Sequence, residues 1–79
     1  IKRLTELEAI AQNLQGVERA FAIAAGREIR VLGNPESLNE LETHELARTI
    51  AADIQDQLRY PGEIKVHVIR ETRVISYAR

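Results

Sequence analysis

A chain of 79 residues can hold one domain, because a core of this size buries only about 60% of the surface that the unfolded chain exposes. Its formal charge of −1 argues mildly against a general nucleic-acid binder and leaves room only for a local basic patch. The absence of cysteine removes disulfide frameworks and thiolate metal sites and fits a reducing compartment. No apolar run approaches the ~20 residues that a membrane span needs, so we expect a soluble, cytoplasmic chain.

An amphipathic helix is predicted at the start of the chain. Apolar residues from Leu4 to Leu14 recur at steps of three and four, which places them on one helix face. On this pattern Glu8 and Gln12 turn to water. Gly16 is well placed to end the helix.

The next segments predict a β-hairpin. From Val17 to Ala24 the spacing changes to two, which indicates a strand with Phe21 on its core side and small alanines on the other side. Ala25-Gly26 supplies a turn, and the alternation around Ile29 and Val31 predicts a second strand.

A longer helix follows at roughly residues 38–58, where leucine, isoleucine and alanine form an apolar stripe. Either Ser37 or Asn39 can cap its first turn. After the break at Tyr60-Pro61-Gly62, the alternation from Ile64 to Val68 predicts a third strand.

The predicted fold class is therefore α+β, with the order α-β-β-α-β, a three-stranded mainly antiparallel sheet and both helices packed on one face. Our first choice of sheet order places the third strand beside the first, giving 2-1-3. The alternative is a right-handed crossover that places the third strand parallel to the second. Residues Val74 to Tyr77 either extend the third strand beyond an irregular Glu71-Thr72-Arg73 or form a separate short strand.

Histidine and carboxylate residues do not form a recognisable catalytic or metal motif. His44 lacks the second histidine that a zinc-protease helix needs, and His67 alternates with apolar residues and so faces water or a partner. Asp53 and Asp56 are best explained as the charged outer face of a helix. We therefore expect no catalytic residue, metal site or cofactor in this chain.

One group of residues has a chemical bias, because five basic side chains fall on or just after the predicted second and third strands. They are Arg27, Arg30, Lys65, Arg70 and Arg73. If strands one and three pair, Arg30 and Lys65 meet across a floor of alanines that could receive a phosphate backbone or a partner's acidic surface. Interleaved glutamates and the scarcity of aromatic rings favour a protein interface over RNA contact.

Two long strings in the last third of the chain, supported by shorter ones, resemble the C-terminal end of bacterial ribonuclease Y. The long strings are Pro61-Gly62-Glu63-Ile64-Lys65-Val66 and Val68-Ile69-Arg70-Glu71-Thr72-Arg73. The shorter ones lie at residues 16–18, 22–31, 46–48 and 77–79. Departures are small: Asn34 stands where a basic residue is common, and Ser76 where an acidic one is.

The resemblance implies a longer parent that is anchored at the cytoplasmic face of the membrane and starts mRNA decay by endonucleolytic cleavage. It implies a coiled coil, a KH RNA-binding domain and an HD domain that uses a divalent metal, followed by residues 1–79 as a single C-terminal accessory domain. Neither the His-Asp pair of an HD domain nor the GxxG loop of a KH domain occurs in this sequence, so no catalytic residue is carried over.

Three hypotheses follow for this chain. The first is an interaction module that assembles a homodimer of the parent or docks another RNA-decay protein. The second is an RNA-binding module whose five basic residues guide substrate to the HD active site. The third, an autonomous enzyme, is disfavoured by the lack of catalytic motifs.

Overall fold

The computed structural model describes residues 2–59 and 62–79. Its elements are α1 (Lys2–Gln12), β1 (Val17–Ile23), β2 (Glu28–Gly33), α2 (Glu40–Leu58) and β3 (Lys65–Arg70). A short 3-10 turn at Ala24–Gly26 joins β1 to β2. The predicted α+β class and element order are confirmed, whereas Tyr60 and Pro61 of the predicted break lie outside the described residues. None of the helices described is both long and apolar enough to cross a membrane.

The three strands form a mixed sheet in the order β1-β2-β3. β1 is antiparallel to β2, and β3 is parallel to β2. The first-choice order, with the third strand beside the first, is therefore wrong. The alternative, with the third strand parallel to the second, is confirmed.

The outer edge of β1 is occupied by α1, which explains why β3 does not pair there. The backbone N–H of Ala22 donates to Oε2 of Glu8 across 2.9 Å, and the N–H of Ala20 donates to Oε1 of Gln12 across 3.1 Å. Nε2 of Gln12 also donates to the carbonyl of Glu18. Since Glu8 and Gln12 bind this edge instead of turning to water, β2 is the strand beside which β3 can pair.

The core lies between the two helices and one face of the sheet. Its fully buried large side chains are Leu7, Ile29, Val31 and Ile50. On β1 the core-facing residues are Ala20 and Ala22, because α1 approaches this strand closely enough to bond its edge. The predicted core position of Phe21 is wrong, since this ring lies on the other face and is 38% exposed.

The start of α2 has a complete capping box, and Asn39 is the cap. Oδ1 of Asn39 accepts from the N–H of Glu42 across 2.8 Å, and Oε1 of Glu42 accepts from the N–H of Asn39 across 2.9 Å. These two bonds satisfy backbone donors that the first helical turn leaves unpaired. Of the two predicted caps, the structure therefore selects Asn39 over Ser37.

Leu38 packs against two glycines at the end of the sheet. Gly16 adopts a φ of +90°, and a Cβ added there would lie 2.8 Å from Cδ2 of Leu38. A Cβ on Gly33 would lie 2.8 Å from Cδ1 of the same leucine. The two backbone segments come together here, where the N–H of Asn34 donates to the carbonyl of Gly16 across 2.9 Å.

Residues 71–79 follow β3 without forming a helix or strand. The predicted strand at Val74 to Tyr77 is therefore wrong in this chain. Its alternation of side chains is that of a strand, but no neighbouring strand lies beside it to accept its backbone hydrogen bonds.

Candidate interaction surface

The face of the sheet opposite the helices is amphipathic. Pairing of the strands arranges its residues in three cross-strand rows, which together we call the open face. The rows are Arg19-Leu32-Ile69, Phe21-Arg30-His67 and Ile23-Glu28-Lys65.

A charged group occupies the middle of the open face. Nη2 of Arg30 donates to Oε2 of Glu28 across 3.1 Å, and Nδ1 of His67 lies 3.6 Å from the same oxygen. Nε of Arg30 and Nδ1 of His67 are buried atoms with no hydrogen-bond partner among the described residues. The Glu28 carboxylate thus offsets the guanidinium charge, so the middle of this face is not a simple cationic site.

Apolar side chains surround the charged group. The guanidinium of Arg19 lies 5.3 Å from the centre of the Phe21 ring, a cation–π distance. Ile23, Leu32 and Ile69 are half-buried on the same face. An apolar rim around an ion-paired centre is suited to covering by another protein surface.

Of the predicted contact residues, Arg30 lies in the middle row of the open face, and Arg27 and Lys65 lie at one end. The N–H of Lys65 donates to the carbonyl of Arg27 across 2.9 Å, which places these two residues side by side. Lys65 is in register with Glu28, and Arg30 is in register with His67. The predicted floor of alanines between Arg30 and Lys65 is therefore wrong, since the β1 alanines face the helices.

Arg70 and Arg73 lie at the opposite end of the sheet. Nη1 of Arg70 donates to the carbonyl of Leu38 across 3.1 Å, and Nε of Arg73 lies 3.7 Å from Oε2 of Glu71. The length of β3, about 17 Å at 3.3 Å per residue, separates Lys65 from Arg70. The five basic residues are thus spread along the sheet and do not converge on one point.

A groove runs between α2 and the outer edge of β3, and we call it the β3 groove. One part of it is lined by Glu40, Thr43, His44, Ala47, Val66, His67, Val68 and Arg70. The adjoining part shares Val66 and is lined also by Ala51, Ile54, Gln55, Arg59, Gly62, Glu63 and Ile64. The sequence could not indicate this groove, because its shape depends on how α2 packs beside β3.

Residues 71–79, which we call the arm, carry the most exposed large apolar side chains of the described chain. Val74 is 88% exposed, Ile75 74% and Tyr77 78%. Exposed apolar side chains that lie close together commonly mark interaction sites. The alternation of this segment predicts a strand, and nothing in the sequence indicates that its apolar side chains are exposed.

Within residues 2–59 and 62–79, no group of three or more His, Cys, Asp or Glu side chains is arranged to hold a metal ion. His44 and His67 both border the β3 groove. Neither takes part in a cluster of the kind that binds metals in proteins.

Comparison with known proteins shows sequence similarity along the whole chain. No protein-family model matches. Ribonuclease Y from Bacillus subtilis and from Bacillus licheniformis is each 56% identical over 79 residues, which is 100% of this chain. The chain matches the C-terminal region of ribonuclease Y over its whole length. It spans about 15% of the length of these relatives.

A solved structure shares the fold. MamM V260R superposes with a TM-score of 0.64, covering 99% of this chain and 89% of the other, at 19% sequence identity. At this identity the likeness shows the architecture alone. The α-β-β-α-β arrangement is therefore one that a protein with 19% sequence identity also adopts.

Proposed function

We propose that this chain is a non-catalytic assembly domain of a ribonuclease Y-type endoribonuclease that initiates mRNA decay. The observation that supports it most is the apolar surface left exposed by the fold, on the open face and on the arm. Phe21, Ile75 and Tyr77 are rings or branched side chains of the kind that form the centre of protein interfaces.

In this proposal, cleavage is carried out by other parts of the longer protein. A divalent metal bound in an HD domain would supply the hydrolytic chemistry, and a membrane anchor would hold the protein at the cytoplasmic face. Homodimerisation of the parent, or docking of another RNA-decay protein, would be the contribution of this chain.

The distribution of charge supports a protein partner over RNA. Arg30 is paired with Glu28, and Arg73 is paired with Glu71, so two of the five predicted contact residues are offset within the chain. A phosphate backbone would have to compete with these carboxylates. A protein surface of mixed charge would not.

RNA guidance remains a second candidate because of Arg27 and Lys65. These residues are exposed and adjacent, and neither takes part in a salt bridge within the described chain. The other three basic residues are less free to bind RNA, because Arg30 and Arg73 are ion-paired and Arg70 donates to the carbonyl of Leu38 on the α2 side of the sheet. Single-stranded RNA held by all five would bind with a log–log salt slope of about −3.5.

A titration of the 79-residue chain against single-stranded RNA, at low and at moderate salt, distinguishes the two candidates when the mass is measured on the same sample. Absence of binding together with a dimer mass supports the assembly function. Steeply salt-dependent binding by a monomer contradicts it, provided that Arg27→Ala with Lys65→Ala weakens the binding. Arg48→Ala, on the exposed side of α2, is the matched control.

A further inference from the structure

We infer that the arm of one copy adds as a fourth strand to the β3 edge of a second copy, and that the second copy's arm does the same in return. The inference rests on the proposed assembly function and names its partner, a second copy of this chain. The two long strands, each made of β3 and the arm, would run antiparallel about a two-fold axis.

The sheet has only one edge that can accept a strand, within the described residues. On β1, Glu8 and Gln12 occupy the outward backbone groups of Ala20, Ala22 and Glu18. No side chain caps the outer edge of β3 in a comparable way among the described residues. Edge strands left uncovered are templates for pairing with another chain.

The β3 groove has room for a strand because the α2 side chains above its centre are small. Ala47 and Ala51 lie over Val66 in the two adjoining parts of the groove. In an extended arm, Ser76 and Ala78 fall on one side and Ile75 and Tyr77 on the other. The small pair fits beneath α2, and the large pair joins the open face.

The shape of the chain is compatible with an arm that reaches outward. The chain measures 53 Å along its longest axis and 27 and 18 Å along the others. Among the described residues, no backbone hydrogen bond joins residues 71–79 to the rest of the chain. The arm's backbone donors and acceptors are thus available to a second copy.

Charge favours one register among the two-fold centres at Glu71, Thr72 and Arg73. A two-fold antiparallel pair must place one residue opposite its own copy. With Thr72 at this centre, Glu71 of each copy lies opposite Arg73 of the other. Moving the centre to Glu71 or to Arg73 would instead oppose two like charges, which destabilises a strand pair.

The same register also places small or apolar residues of the arm opposite apolar residues of β3. It sets Ile75 opposite Ile69 on the open face, and Ser76 and Ala78 opposite Val68 and Val66 beneath α2. Within one copy, Nε of Arg73 already lies 3.7 Å from Oε2 of Glu71, which shows that both side chains project to the same side. Both can therefore face their counterparts across the two-fold axis.

Cysteine cross-linking tests the register, since the chain has no cysteine of its own. Under mild oxidation, Thr72→Cys should convert most of the chain to a disulfide-linked dimer, because residues opposite each other bring their Cβ atoms within bonding range. Ser76→Cys is the matched control. In this register its copies lie about 26 Å apart, eight residues along the strand, and should stay unlinked.

Charge exchange gives a second readout that does not depend on disulfide geometry. Glu71→Arg alone and Arg73→Glu alone should each weaken dimerisation about tenfold or more, and the double exchange should restore it. A dimer that links no better at Thr72→Cys than at Ser76→Cys, and is not rescued by the double exchange, would overturn arm pairing while leaving assembly intact. A monomer mass at every concentration would overturn arm pairing and homodimerisation together, leaving docking of another RNA-decay protein as the assembly role.

Discussion

The carboxylate of Glu8 accepts a hydrogen bond from the backbone N–H of Ala22 across 2.9 Å, which fixes α1 to the outer edge of β1. Gln12, one helical turn further on, does the same for Ala20. The polar side of α1 therefore serves as a cover for a strand edge, in addition to the apolar side that packs on the core. One edge of the sheet is closed by this contact, and the β3 edge is left for a partner.

Replacing Glu8 should reveal how much its bond to the β1 edge contributes to the free energy of unfolding. Glu8→Ala leaves the half-buried N–H of Ala22 without its acceptor and should lower the free energy of unfolding by about 1–3 kcal/mol. Glu8→Gln keeps an acceptor oxygen and should retain most of the stability. Urea denaturation followed by circular dichroism measures both, and equal stability of Glu8→Ala and the unmodified chain would contradict the role of this bond.

The capping box at α2 can be tested by substituting Asn39, with the neighbouring Ser37 as the control. Asn39→Ala removes the acceptor of the Glu42 N–H and should cost about 1 kcal/mol of unfolding free energy. Ser37→Ala should change stability little, because Ser37 is exposed and Asn39 makes the capping bonds. Thermal unfolding of the two variants decides between the two caps, and a larger loss for Ser37→Ala would reject the assignment.

Alanine substitutions at Gly16 and Gly62 distinguish the energetic cost of backbone strain from the cost of a steric clash. Both glycines have a positive φ. A Cβ added at Gly16 would lie 2.8 Å from Leu38, whereas a Cβ added at Gly62 would have no atom within 4 Å. Gly62→Ala should therefore cost about 1–2 kcal/mol from backbone strain alone. Gly16→Ala should cost about 1–3 kcal/mol more, because the core must also rearrange.

Chemical denaturation of the two alanine variants side by side measures this difference. Equal losses in unfolding free energy would show that Leu38 moves aside without cost. The packing of Leu38 between Gly16 and Gly33 would then contribute nothing to the stability of that end of the sheet.

Local patterns in the sequence predicted the elements well. The periodicities of three to four and of two located both helices and three strands, and Asn39 was a cap candidate from its residue type alone. These features depend on residues close together in the chain, for which spacing and side-chain chemistry are sufficient.

The errors concern contacts between distant residues. The alternation along β1 predicts Phe21 on the core side, but α1 lies so close to β1 that alanines are the core-facing residues there. The sheet order depended on Glu8 and Gln12 closing the β1 edge, and their helical positions alone indicate only a solvated face. The contact of Glu28 with His67 could not be predicted for the same reason, since His67 is brought there by the parallel pairing of β3.

Sedimentation equilibrium of the unmodified chain, from micromolar to several hundred micromolar, tests the assembly function most directly. The proposal predicts a mass that rises with concentration to twice the 8.9 kDa of a single chain. A mass of 8.9 kDa throughout would contradict homodimerisation through this chain. The exposed apolar residues of the open face and arm would then have to contact a different partner.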